Sequence, residues 1–166
     1  MTARLALLVE GVYRPGLYRW RSRAHPAAVG RELARAGWGG HLLVGPVTDA
    51  GRFLDACAGA LAFPTWCGGS WEVLADCLAD LSWLPGAGHV VLWERYGTLA
   101  AGDLKAWRRA YEMLEAALAR RARSRVAPLY VLLRGTGPNT SPVDGTPIPV
   151  LPAVSGSAGS PPRRAR

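Results

Sequence analysis

The sequence predicts an α/β fold built on a mostly parallel sheet, and two observations carry that expectation. Short strand-forming runs alternate with stretches that repeat apolar residues at helical spacing, joined by links of a few residues. One run, His89-Val90-Val91-Leu92-Trp93, is apolar on both faces, as a strand can be only when both sides are covered, at the centre of a parallel sheet.

Residues 1–15 read as a loosely ordered lead-in, a short helix at most, held by Leu5, Leu7, Leu8 and Val12. Pro15-Gly16 is a turn signal, and Leu17-Tyr18-Arg19-Trp20-Arg21 alternates apolar with charged residues as a half-exposed strand does. His25-Pro26 opens a helix with Pro near its first position, and Gly37 ends it. Residues 16–36 thus form a strand-helix extension ahead of a domain spanning 37–135. Within that domain His41-Leu42-Leu43-Val44 is a strand closed by Gly45-Pro46. Thr48 or Asp49 can cap a helix that places Phe53, Leu54, Cys57, Ala60 and Leu61 on one stripe. After Pro64 and a loop, Ser70 caps a helix from Trp71 to about Leu81. The central strand follows Pro85-Gly86, then a short helical turn near Tyr96–Ala100. Asp103 caps a long helix, Leu104 to about Arg123, that buries Trp107, Tyr111, Leu114 and Leu118; Leu129–Leu133 is the closing strand. Residues 136–166, rich in Pro, Gly, Ser and Thr, are expected to be disordered, because so few large apolar side chains cannot offset the entropy of ordering them.

The net charge of +8 invites a nucleic-acid reading, but the charge is unevenly spread. Residues 1–36 hold seven Arg against two Glu, whereas residues 37–135 hold ten basic and nine acidic residues. Between Arg52 and Arg95 there is no Lys or Arg, yet Asp55, Glu72, Asp76, Asp80 and Glu94 all fall there. On the helix from Trp71, a 100° step puts Trp71, Leu74, Leu78 and Leu81 in one quadrant and Glu72, Asp76 and Asp80 opposite. Like charges at i, i+4 repel by a few tenths of a kcal/mol, and Asp80 lies where the helix dipole disfavours an anion. A cationic partner would relieve this row of carboxylates.

The run Phe63-Pro64-Thr65-Trp66-Cys67-Gly68-Gly69-Ser70-Trp71-Glu72-Val73-Leu74-Ala75-Asp76-Cys77-Leu78 resembles the signature of the barstar family. There an aromatic-glycine loop follows a Pro and runs into a helix of the form Asn-(Leu/Trp)-Asp-Ala-Leu-x-Asp-Cys-Leu. The order of elements from Gly37 to Gly135 is similar too. The resemblance implies a three-stranded, mostly parallel sheet flanked by helices, here with an extra N-terminal strand and helix. It further implies a ribonuclease inhibitor whose loop and second helix enter the basic active site of a small secreted ribonuclease. On that footing Asp76 takes the phosphate subsite, Glu72 keeps the charge of the motif's other acid, and Trp66 stacks on the enzyme's catalytic His. Gly68 allows close backbone approach, and Asp80 extends the acidic row. Ser70 stands where the motif has Asn, and Cys67 where an aromatic is usual.

No catalytic residue, cofactor or metal is expected. His25, His41 and His89 have no visible nucleophile partner, and three acids along one helix spread over about 12 Å, too far for one ion. Cys57, Cys67 and Cys77 are expected to be free thiols, because their spacing of ten fits no zinc pattern and a cytoplasmic setting opposes a disulfide. No apolar run is long enough to cross a bilayer and no secretory signal is visible, so a cytoplasmic monomer without membrane contact is expected. Two alternatives stand beside the inhibitor. One is a module of the same fold that binds another basic protein. The other is a nucleic-acid-binding protein using Arg19, Arg21, Arg23, Arg31 and Arg35 with interleaved Tyr18, Trp20 and Trp38.

Overall fold

The computed structural model describes residues 3–67 and 69–151. Its elements run α1 (Ala3–Val9), β1 (Leu17–Trp20), α2 (Pro26–Arg35), β2 (Gly39–Leu43), α3 (Ala50–Ala60), α4 (Trp71–Asp80), β3 (His89–Glu94), α5 (Gly97–Gly102), α6 (Leu104–Ala122), β4 (Leu129–Arg134) and β5 (Val150–Leu151). The caps expected at Asp49, Ser70 and Asp103 form, and His25 adds one that was not expected. The His25 side chain accepts from the Ala27 N–H, Asp49 from Arg52, Ser70 from Val73 and Asp103 from Ala106, each satisfying an amide that the first helical turn leaves without a partner.

Five parallel strands lie in the order β2-β3-β4-β1-β5. The central pair is in register from His89↔Leu129 to Glu94↔Arg134. Both strands are buried almost throughout, as their unbroken apolar runs require. Alternate residues of β3 and β4 face two separate cores. Val91, Trp93, Val131 and Leu133 pack with α3, α4, α5 and α6; Val90, Leu92, Tyr130 and Leu132 pack with α1 and α2. The fold is therefore a sheet between two helical layers.

Two expectations drawn from composition are corrected. The lead-in is not loosely held, since Leu5 and Leu8 are fully buried in the second core, while Val12 is exposed. Residues 136–151, expected to be disordered, fold back over the sheet. Ile148 is buried in the first core, Thr140 bridges Pro147, and Val150 and Leu151 pair in parallel with Arg19 and Trp20. A few well-placed anchors (Ile148, Leu151 and the buried Ser141) hold this segment, and average composition does not register them. The rest of the tail expected to be disordered, 152–166, lies outside the described residues.

Arg134 fastens the N-terminal extension to this frame. It is buried at the end of β4 and pairs with Glu94. Its guanidinium also donates to the carbonyls of Ser22 and Ala24 and lies 5.5 Å from the centre of the Trp20 ring.

At the amino end of β3, His89 meets His41 from the middle of β2, Nδ1 to Nε2 at 3.3 Å, and His41 Nδ1 lies 3.2 Å from the Ala60 carbonyl. With His41 donating to that carbonyl, its Nε2 is left to accept from His89, so the His41 ring is neutral. Burial, then the neighbouring His41 and Arg121, pull His89 down to about 4. Burial also lowers His41, partly opposed by the Ala60 carbonyl. A folded value below the unfolded value near 6.5 means that the unfolded chain takes up the proton first. This part of the stability is thus complete above about pH 6.5 and lost as pH falls toward 4. Urea unfolding across that range should show a midpoint that drops with acid, more steeply in the wild type than in His89→Gln. Parallel curves for the two would disprove the assignment.

Candidate functional site

The helix α4 presents the two faces that its periodicity predicts. Leu74, Ala75, Cys77 and Leu78 are buried, with Leu81 just beyond, whereas Glu72, Asp76 and Asp80 are exposed in a row. Trp71 is only half-buried, stacked against Phe53 with ring centres 5.9 Å apart. The helix ends at Leu81 in a left-handed conformation (φ 49°), whose amide donates to the Cys77 carbonyl.

The loop before α4 displays Trp66, 62% exposed. Trp66 stands edge-on to Trp83, which stands edge-on to Phe63, at 6.0 and 5.9 Å; Trp83 is itself held by an indole hydrogen bond of 2.9 Å to the Leu61 carbonyl. The expectation of three free thiols is wrong for two of them. Cys67 and Cys77 form a disulfide, and only Cys57 is free, buried in the first core. The cause is geometric. The loop turns back over the inner side of α4 and brings the two Cα atoms to 6.4 Å, within disulfide reach, a proximity that linear spacing does not reveal. The bridge ties the residue next to Trp66 to the residue next to Asp76, which limits how far the loop can move from α4.

The carboxylates do have cations nearby, supplied by the neighbouring helix α6. Arg109 reaches Glu72 at 3.1 Å and also Glu112 at 3.5 Å, and Arg120 reaches Asp76 at 2.8 Å. Both contacts to α4 are exposed. Such pairs contribute roughly 0–1 kcal/mol, so a partner can replace them. Asp80 accepts only from the Ser82 amide among these contacts. A buried residue, Arg121, answers the dipole problem at that end. Its guanidinium donates to the carbonyls of Leu78, Ala79 and Asp80 at 3.1, 3.2 and 3.3 Å, and to Ala127.

Of the residues predicted for the site, Trp66, Glu72, Asp76 and Asp80 are each exposed, the three acids along α4 and Trp66 in the loop before it, and Gly68 lies outside the described residues. Sequence reasoning missed Arg109, Arg120 and Arg121, which stand 37 to 44 residues from their α4 partners, and the disulfide. The arginines of α6 were visible as charges, but nothing in their order said which helix they would face. Among the described residues no group of three or more His, Cys, Asp or Glu is placed to hold a metal ion, and no helix is long and apolar enough to cross a membrane.

The family model Barstar (barnase inhibitor) matches residues 41–134, more than half of the chain. No curated protein matches it.

Two variants probe the geometry. Opening the bridge, by reductant or by Cys67→Ser, should lower stability in urea by about 2–3 kcal/mol and speed amide exchange in residues 63–70. Arg121→Met should cost about 2–4 kcal/mol, because three helix-terminal carbonyls then lose their donor inside the protein. An unfolding curve unmoved by either change would contradict these roles.

Proposed function

From the premise that the chain belongs to the barstar family, we propose that it is a proteinaceous ribonuclease inhibitor, not an enzyme. It would close the basic active site of a small secreted ribonuclease with residues 63–70 and α4. The observation that carries this is the row of exposed carboxylates Glu72, Asp76 and Asp80 on α4, with an exposed Trp66 in the loop that the Cys67–Cys77 disulfide ties to that helix. An enzyme cleft that must hold a phosphodiester is lined with cations, and a carboxylate fixed at the phosphate position meets them with opposite field. Asp76 sits mid-helix and is the residue given that role; Glu72 and Asp80 flank it, and Trp66 supplies a rigid apolar anchor. Rigidity matters because every side chain already ordered before binding removes part of the entropy cost of association.

The ion pair between Arg120 and Asp76 gives this reading its own character. In the free protein Arg120 occupies the place that the enzyme's cation would take. Binding therefore exchanges an exposed pair for one buried in the interface, and the internal arginine competes with the target. The proposed setting is the cytoplasm of the cell that makes the enzyme, with the inhibitor acting as a monomer. Thiols there would tend to open the disulfide, so affinity is to be measured with and without reductant.

Titration against a panel of small basic ribonucleases, read as stoichiometric loss of RNA cleavage, tests the proposal. Asp76→Ala should weaken binding by about 2–5 kcal/mol, more than Asp80→Ala or Glu72→Ala. Arg120→Ala should tighten it by up to about fivefold, since the competing cation is gone. Failure to inhibit any member of the panel, or equal losses for Asp76→Ala and Asp80→Ala, would count against it.

A further inference from the structure

A second charged surface lies at the carboxyl ends of the strands and shares no residue with residues 63–70 or α4. The neighbouring strands β4 and β1 leave the sheet in opposite directions. After Trp20 the chain passes to α2 in one helical layer, and after Arg134 it passes over Tyr96 toward the other, where Ile148 is buried. Adjacent strands that diverge in this way leave a crevice outside their carboxyl ends, the place where open parallel sheets take ligands. Here it is an open cleft of about 650 Å³, lined by Arg19, Arg21, Arg23, Glu94, Arg95 and Arg134 together with residues 135–137.

The charge of this cleft is one-sided. Arg134 is neutralised by Glu94, and among the described residues Arg19, Arg21, Arg23 and Arg95 form no ion pair. The Arg19 guanidinium lies near enough to Tyr96 for its charge to act on the hydroxyl. Arg21, Arg23 and Arg95 are exposed. Arg95 is held at φ 56°, a left-handed conformation that a side chain as large as Arg adopts at a cost. Its amide donates to the Arg134 carbonyl, and the turn is locked by close packing of two glycine-containing loops. A Cβ at Gly137 would lie 2.7 Å from the Tyr96 ring, and one at Gly97 would run into the Thr136 carbonyl. The fold thus maintains a strained backbone that aims a guanidinium from the end of the central strand into a cleft already rich in them.

We propose that this cleft binds a small polyphosphorylated ligand of the nucleoside triphosphate class. Four unneutralised guanidiniums match the charge of a triphosphate better than that of a single phosphate, and their planar forks suit phosphate oxygens. The cleft volume suits a ligand of that size. Recognition falls on the phosphates, because the one indole at the cleft, Trp20, is buried and has Arg134 over its ring, which leaves no open aromatic face for a base.

Calorimetric titration of the full chain with tripolyphosphate, ATP, AMP and a single-stranded RNA 12-mer tests this. Tripolyphosphate and ATP should bind alike, about tenfold or more tighter than AMP, and more weakly as salt rises. Arg21→Gln combined with Arg23→Gln, both at exposed positions, should weaken ATP binding at least tenfold, while Asp76→Ala leaves it unchanged. Arg95→Gly should raise the melting temperature by relieving the left-handed strain and still weaken ATP binding, which separates loss of a ligand contact from loss of fold. The proposal is overturned by absence of tripolyphosphate binding, by full affinity in the Arg21/Arg23 double variant, or by RNA that binds where tripolyphosphate does not. None of these outcomes bears on ribonuclease inhibition, which is read on the other surface.

Discussion

The docking of α4 against α6 is the constraint on which the exposed surface depends. Helix α4 has no strand of its own to rest on. It is held by Leu74, Leu78 and Leu81 packing into the core that Trp107, Ala110, Tyr111 and Leu114 of α6 complete, and by Arg121 of α6 donating to the last carbonyls of α4. The apolar contact is non-directional and supplies most of the free energy, at about 25 cal/mol per Å² buried. The arginine is directional and sets where α4 stops. Because the acids lie on the face away from this contact, fixing the inner face fixes the spacing and direction of Glu72, Asp76 and Asp80 as well.

The same helix that anchors α4 also tempers its charge. Arg109 and Arg120 reach around to Glu72 and Asp76, so the repulsion that an isolated helix would feel along its acidic row is relieved within the molecule. Exposed pairs of this kind leave the carboxylates available at small cost. The acidic row is thus tolerated in the free protein without being withdrawn from a partner. The disulfide acts on the other border of the surface by limiting how far the Trp66 loop can drift from α4. Together they leave a surface whose main chain is fixed while its outer ion pairs can exchange.

Much of this was legible in the chain itself. The caps at Asp49, Ser70 and Asp103, the two-faced pattern of α4 and the buried central strand follow from local chemistry and periodicity, which act over one to three turns and survive into the fold. Three features were not legible. The order of residues 136–151 rests on isolated anchors such as Ile148, which composition averages away. The Cys67–Cys77 bridge needs a loop to double back, and an odd cysteine count says nothing of which pair will meet. The partition of charge between surfaces depends on which helix faces which.

By itself, the sequence determined the α/β alternation, the family signature in residues 63–78 and the carboxylate row of Glu72, Asp76 and Asp80, because each is written in residues close together in the chain. Only the tertiary structure decided that Arg120 faces Asp76, that Arg121 ends α4, and that Arg19, Arg21, Arg23 and Arg95 gather at one strand end. Those are contacts between segments tens of residues apart, and their partners are selected by how the sheet and its two helical layers pack, which no local pattern encodes.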